Sequence, residues 1–172
     1  VVRSIRENEA DIGLFLRGDC APDLEYRTYH DDVLVVVTPK GHPLESRPHV
    51  SFENTLEYDY IGLHEEAVLQ LFREAENVRK PLRLRIQVSS CDALCAMVSS
   101  GLGIGVLPLN SVRPYVAGQK VSIITLNEPW AERKLMICMR SYSSLSAAAK
   151  SLVDHLTQGE NRRAPGPPQT GE

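Results

Sequence analysis

No stretch of this 172-residue chain approaches the ~18 consecutive apolar residues that a membrane-spanning helix needs. The opening residues are also too polar for a secretory leader. Together these absences predict a cytoplasmic protein with no membrane partner. Basic stripes are missing as well, and the net charge is −3. Duplex binding draws most of its affinity from Lys and Arg neutralising phosphates, so this chain is not expected to grip DNA by itself. Four cysteines are present, Cys20, Cys91, Cys95 and Cys138, but no second pair completes the spacing of a zinc site. No nucleophile elbow, metal-binding helix or paired-carboxylate pattern occurs, so neither catalytic residues nor a metal or cofactor is expected. There is no internal repeat.

What is present is an ordinary globular composition, with 42 % hydrophobic and 24 % charged residues. Its length suits one domain or two small lobes. Residues 1–8 read as the end of a helix, and residues 12–16 as a short apolar strand before the loop RGDCAP. The β-branched run at 33–37 predicts a strand buried on both faces. Residues 38–48, rich in Pro and Gly, read as a crossover. A strand at 60–63 precedes a helix whose apolar positions are Val68, Leu71, Phe72 and Ala75. Leu82, Leu84, Ile86 and Val88 alternate with polar residues, a strand signal that makes Arg83 and Arg85 its wet face. Strands at 121–126 and 135–139 flank a turn containing Pro129 and Trp130. Leu145, Ala148, Ala149, Leu152, Val153 and Leu156 then mark an amphipathic helix. Residues 159–172 cannot bury an apolar face and are expected to be disordered.

The most informative segment is SSCDALCAMVSSGLGIGVLP, residues 89–108. Leu94, Met97 and Val98 give a helix one apolar face, and Ser89 and Ser90 are good N-cap residues. Gly101 suits a left-handed C-cap, and 104–107 follows as a buried strand. A dinucleotide fingerprint places its glycines after a strand and before a helix. Here the order is reversed, so GLGIG is not a phosphate cradle. Cys91 and Cys95 lie one helical turn apart. Reduced structural thiols are the default reading, and a thiol lowered in pKa at the helix start is the alternative.

This segment, with ADIGLF at 10–15, DDVLVVVTPKGHPL at 31–44, the Trp-containing turn and the amphipathic C-terminal helix, resembles the effector-binding domain of LysR-type transcriptional regulators. The resemblance runs from about residue 1 to 158. It implies an α/β, two-lobed type 2 periplasmic-binding-protein-like fold with mostly parallel sheets. The first lobe, 1–43 and 144–158, is expected to be incomplete, lacking two strands and a helix; the second is 44–143. The chain opens on Val rather than Met, which suits a fragment or an uncommon start codon. DNA would then be reached only through a missing N-terminal winged helix-turn-helix, and the full-length protein would form a homodimer or homotetramer.

The resemblance also assigns a site for a small anionic metabolite. Ser89 is expected to contact the effector, with Ser90 beside it; the alternative is that both only cap the helix. Phe15 and Leu16 are expected to contribute from the first lobe, or else simply to pack. His64 is either a pH-sensitive contact facing the cleft or a solvated histidine at a helix start. Thr38 and Pro39 mark the expected hinge. Asp11 reads as structural. The alternative function is a stand-alone cytoplasmic solute-binding protein of the same fold; an enzyme is a third, weaker reading.

Overall fold

The structure, a computed structural model, describes residues 1–18, 20–116, 118 and 121–158. The expected disordered tail lies outside the described residues. In chain order the elements are α1 (Val2–Arg6), β1 (Gly13–Leu16), β2 (Glu25–Pro39), β3 (His49–Val50), α2 (Phe52–Thr55) and β4 (Asp59–Leu63). They continue with α3 (Glu65–Asn77), β5 (Arg83–Val88), α4 (Cys91–Ser99), β6 (Gly105–Pro108), α5 (Leu109–Val116), β7 (Val121–Leu126), β8 (Glu132–Met139) and α6 (Ala147–Gln158). The chain divides into two compact units. Unit 1 comprises Val1–Asp31 and the chain from Arg133 onward; unit 2 is Asp32–Glu132. The long strand β2 passes from one unit into the other, ahead of the boundary expected at residues 43 and 44.

In unit 1, β8 lies between β1 and β2. The β1–β8 pair is antiparallel, with Gly13 opposite Cys138 and Leu16 opposite Leu135. Successive side chains of a strand point to opposite faces, so β8 serves two small cores. Cys138 packs with Ile5 of α1 and Leu24, while Ile137 and Met139 pack with Leu145 and Val153 under α6. The apolar stripe of α6 is narrower than its spacing predicts: Val153 is fully buried, but Leu152 is 50 % exposed and Leu145 precedes the helix.

Unit 2 has three layers. Val36, Tyr60 and Ile124 face one core, closed by Leu71 and Ala75 of α3. Val37, Ile61 and Leu107 face the other, closed by Leu94 and Val98 of α4 and Val112 of α5. Residues 34–37 of the apolar run are buried on both faces because of this arrangement, and Val33 is half-buried. On α3, Val68, Leu71 and Ala75 are buried as expected, whereas Phe72 is half-exposed.

The sheets are mixed rather than mostly parallel. β4–β5 and β3–β7 are parallel, but β2 runs antiparallel to both β6 and β7, as β1 does to β8. A doubly buried strand reads as a continuous apolar run in either orientation, so VLVVV carried no directional information.

Candidate functional site

Within unit 2, β4 and β5 run parallel, with a register shift between Tyr60 and Ile61, and end level, with Leu63 opposite Val88. The chain leaves each strand into a helix. After β4 it turns at His64, whose backbone N–H donates to Val88 O at 2.9 Å and whose Nδ1 accepts from the Ala67 amide at 3.4 Å. His64 therefore ties the two strand ends together and caps α3. Its side chain is exposed, and its φ of 28° is one that non-glycine residues seldom adopt.

After β5 come Ser89 and Ser90. Ser90 is the N-cap of α4: its backbone is extended and its Oγ accepts from the Ala93 amide at 3.2 Å. Sequence spacing offered Ser89 and Ser90 equally as caps. The structure gives that task to Ser90, leaving Ser89 exposed one residue before it. A third helix opens on the same edge. Ile104, just before β6, bridges in parallel to Tyr60 of β4, and α5 begins at Leu109 where β6 ends at Pro108. Sequence reasoning missed α5 because Pro114 lies inside it, and proline is the strongest helix-breaking signal.

Three helix N-termini thus stand at the C-terminal ends of parallel strands. Each leaves backbone amides without intrahelical partners and carries partial positive charge, the combination that receives anions. First-turn charges on this edge are acidic, namely Glu65, Glu66 and Asp92. Tyr115 of α5 hydrogen-bonds to Asp92, which raises the phenol's pKa and occupies the carboxylate. Cys91 opens α4 half-buried, and burial followed by the Asp92 charge pushes its thiol upward. Cys95, fully buried one turn on, is pushed up to about 11, again chiefly by burial. The alternative reading of a thiol lowered in pKa at the helix start is therefore corrected: burial and then the Asp92 charge push the Cys91 thiol the other way.

Of the other expected site residues, Phe15 and Leu16 belong to unit 1, and Thr38 and Pro39 to unit 2. Phe15 and Leu16 end β1 in unit 1. Phe15 is half-buried and edge-on to Tyr26, with centroids 5.9 Å apart, while Leu16 is 43 % exposed. Thr38 and Pro39 lie near the end of β2 inside unit 2, opposite Ser122 and Val121. Neither is at Asp31/Asp32, where the chain passes between units. Thr38 is fully buried with no hydrogen-bond partner for its Oγ1 among the described residues. Within unit 2, the structure brings together Ser89, Ser90 and His64.

The architecture is an α/β fold of the periplasmic-binding-protein-like type. More specifically, a family model described as the LysR substrate binding domain matches residues 1–160, and the chain belongs to that family. Among its relatives is the uncharacterized HTH-type transcriptional regulator YbhD of Escherichia coli strain K12, 26 % identical over 151 residues. That match covers 87 % of this chain and 47 % of YbhD; the chain spans about half the length of the curated relatives it matches. Among solved structures, the CcmR regulatory domain of Synechocystis PCC6803 in complex with 2-PG superposes with a TM-score of 0.77 at 20 % identity. It covers 94 % of this chain and 78 % of CcmR. The effector binding domain of QuiR in complex with shikimate gives 0.71 at 21 %, covering 95 % and 78 %.

Proposed function

We propose that this chain is the effector-sensing part of a LysR-type transcriptional regulator and that it binds a small anionic metabolite at the edge formed by His64, Ser89 and Ser90. One observation carries the reading: the N-termini of α3 and α4 open side by side where the parallel strands β4 and β5 end. That is the position at which open α/β sheets receive ligands. CcmR and QuiR, similar in fold, are known in complex with 2-PG and shikimate, and both compounds supply a starting chemistry. The role is recognition without turnover. DNA would be contacted by another segment of a longer, oligomeric cytoplasmic protein. The most basic stretch here is already compensated: Lys80 pairs with Glu53 at 3.0 Å, and Asp59 receives Arg83 at 3.2 Å and Arg85 at 3.9 Å.

The test is a thermal-unfolding screen of the chain against small carboxylic acids and phosphate esters, including 2-PG and shikimate. A true ligand at 100 times its Kd stabilises the native state by about 2.7 kcal/mol. Ser89→Ala is expected to weaken that ligand by about 1–3 kcal/mol, the cost of a hydrogen bond to a charged group. A ligand bound equally well by Ser89→Ala and His64→Ala would move the site away from this edge.

A further inference from the structure

Away from the ligand edge, one histidine of unit 2 is placed so that taking up a proton removes a contact the fold uses. Beyond the end of β2 the chain enters a single 3-10 turn, Pro43–Ser46, and His42 opens that turn. The His42 backbone N–H donates to Pro39 O at 3.2 Å, and its carbonyl accepts from the Glu45 N–H at 2.9 Å. Its ring Nδ1 accepts from the Leu44 amide at 3.3 Å, so the neutral ring carries its proton on Nε2. The ring is half-buried and edge-on to Tyr58, with centroids 4.5 Å apart. Leu44, whose amide the ring holds, is buried in the same core as Val36, Tyr60 and Ile124.

We propose that His42 is a proton-operated latch: neutral, it holds the turn Pro43–Ser46 closed with Leu44 in the core, and protonated, it lets that turn open. An imidazolium has no acceptor nitrogen. Both ring nitrogens are then donors, so protonation sets an N–H against the Leu44 N–H and the bond between them is lost.

Among the described residues, the titratable groups that face the ring are Tyr58, just before β4, and Glu45, on the turn itself. Ser122 of β7 does not titrate. Its hydroxyl donates to the Glu45 carboxylate, and the Gly41 amide donates to the same carboxylate at 3.0 Å. These bonds, that from Ser122 first, hold Glu45 below its ordinary value of 4.5. Glu45 therefore stays charged while His42 titrates. Burial keeps His42 below its ordinary 6.5, against the upward pull of the Glu45 charge. A base whose folded pKa is depressed leaves the closed turn at full stability above its unfolded value. That stability is lost as pH falls from 6.5 through the lower folded value.

The test is amide hydrogen exchange of the 15N-labelled 172-residue chain, followed by NMR between about pH 7.5 and about pH 5 with titration of the His42 ring in the same samples. Rates are corrected for the pH dependence of intrinsic exchange. Protection of the Leu44 amide is expected to fall roughly three- to tenfold, the factor for one hydrogen bond of ordinary net strength. The midpoint of that fall should coincide with the His42 titration and lie below 6.5. His42→Asn keeps a side-chain acceptor for the Leu44 amide and does not titrate, so Leu44 should stay protected throughout. His42→Ala should leave it weakly protected at every pH. Leu44 protection that is unchanged while the ring titrates overturns the proposal, as does full protection in His42→Ala. A step that persists in His42→Asn overturns it too and assigns the proton to another group. If neither variant folds, the wild-type chain still decides: coincident ring and amide midpoints support the latch, and separate ones overturn it.

Discussion

At the scale of single residues, two neighbouring serines divide two tasks that their sequence positions offered to both. Ser90 caps α4 through the Ala93 amide, so Ser90→Ala is expected to cost about 1 kcal/mol in urea unfolding. Ser89→Ala leaves the cap intact and should fall within about 0.5 kcal/mol of wild type. Its effect is expected in calorimetric ligand titrations instead, so a loss of affinity without a loss of stability identifies a ligand contact. Glu25 supports a prediction of a different kind. Its carboxylate accepts from the Tyr142 amide at 2.7 Å and from Ser141 Oγ at 3.0 Å, and these two bonds hold it below its ordinary value of 4.5. A group whose folded pKa is depressed stabilises the native state above its unfolded pKa and loses that contribution as pH falls through the folded value. Glu25→Gln should therefore be less stable than wild type at neutral pH, with the gap closing as pH falls below 4.5 and through the depressed folded value.

Elements were legible from the sequence where periodicity and burial agreed. The strict alternation at 82–88 is β5, and the run from Ser89 to Gly101 is a capped helix closed by a glycine at φ +76°. Legibility failed where a local signal opposed tertiary packing. The polar stretch EYRTYHD does not look like a strand, yet it forms the first half of β2, held at one side by Arg27, which pairs with Asp154 at 3.2 Å and lies over the Tyr142 ring. Helix α5 was hidden by Pro114. For the site, the serines and His64 were legible as helix starts; their convergence was not, because parallel pairing of β4 with β5 is a long-range event with no local signature. The glycines between α4 and β6 separate the two kinds of information. Gly101 has open space around it, so Gly101→Ala carries only the left-handed backbone penalty of about 1 kcal/mol. A Cβ on Gly103 would stand 2.5 Å from the Asp59 carbonyl oxygen, against the backbone of β4. Gly103→Ala should therefore be the more damaging, by about 1–3 kcal/mol, with the loss seen in the chemical denaturation midpoint. Equal costs for the two would mean that β6 and β4 do not approach so closely.

At the scale of the whole molecule, the two units differ in how the chain builds them. Unit 1 is assembled from the two ends of the described chain, and its cores need β1 and α1 from one segment and β8 and α6 from the other. Unit 2 is a single continuous stretch with cores on both faces of its sheets, closed by α3 on one side and by α4 and α5 on the other. It also contains every residue of the His64–Ser89–Ser90 edge. About a hundred residues with their own core are enough for independent folding, and cutting β2 at Asp32 leaves out of the fragment only the strand's first half, which belongs to unit 1. Residues 32–132 expressed alone are therefore expected to unfold in one cooperative urea transition, with an m-value of roughly 1 kcal/mol per molar and below that of the whole chain. Neither segment of unit 1 should do so alone, since each leaves its half of a shared core exposed to water. A broad, non-cooperative transition for 32–132 would mean that the cores of unit 2 depend on unit 1 for their order, and that the ligand edge is not preformed within one unit.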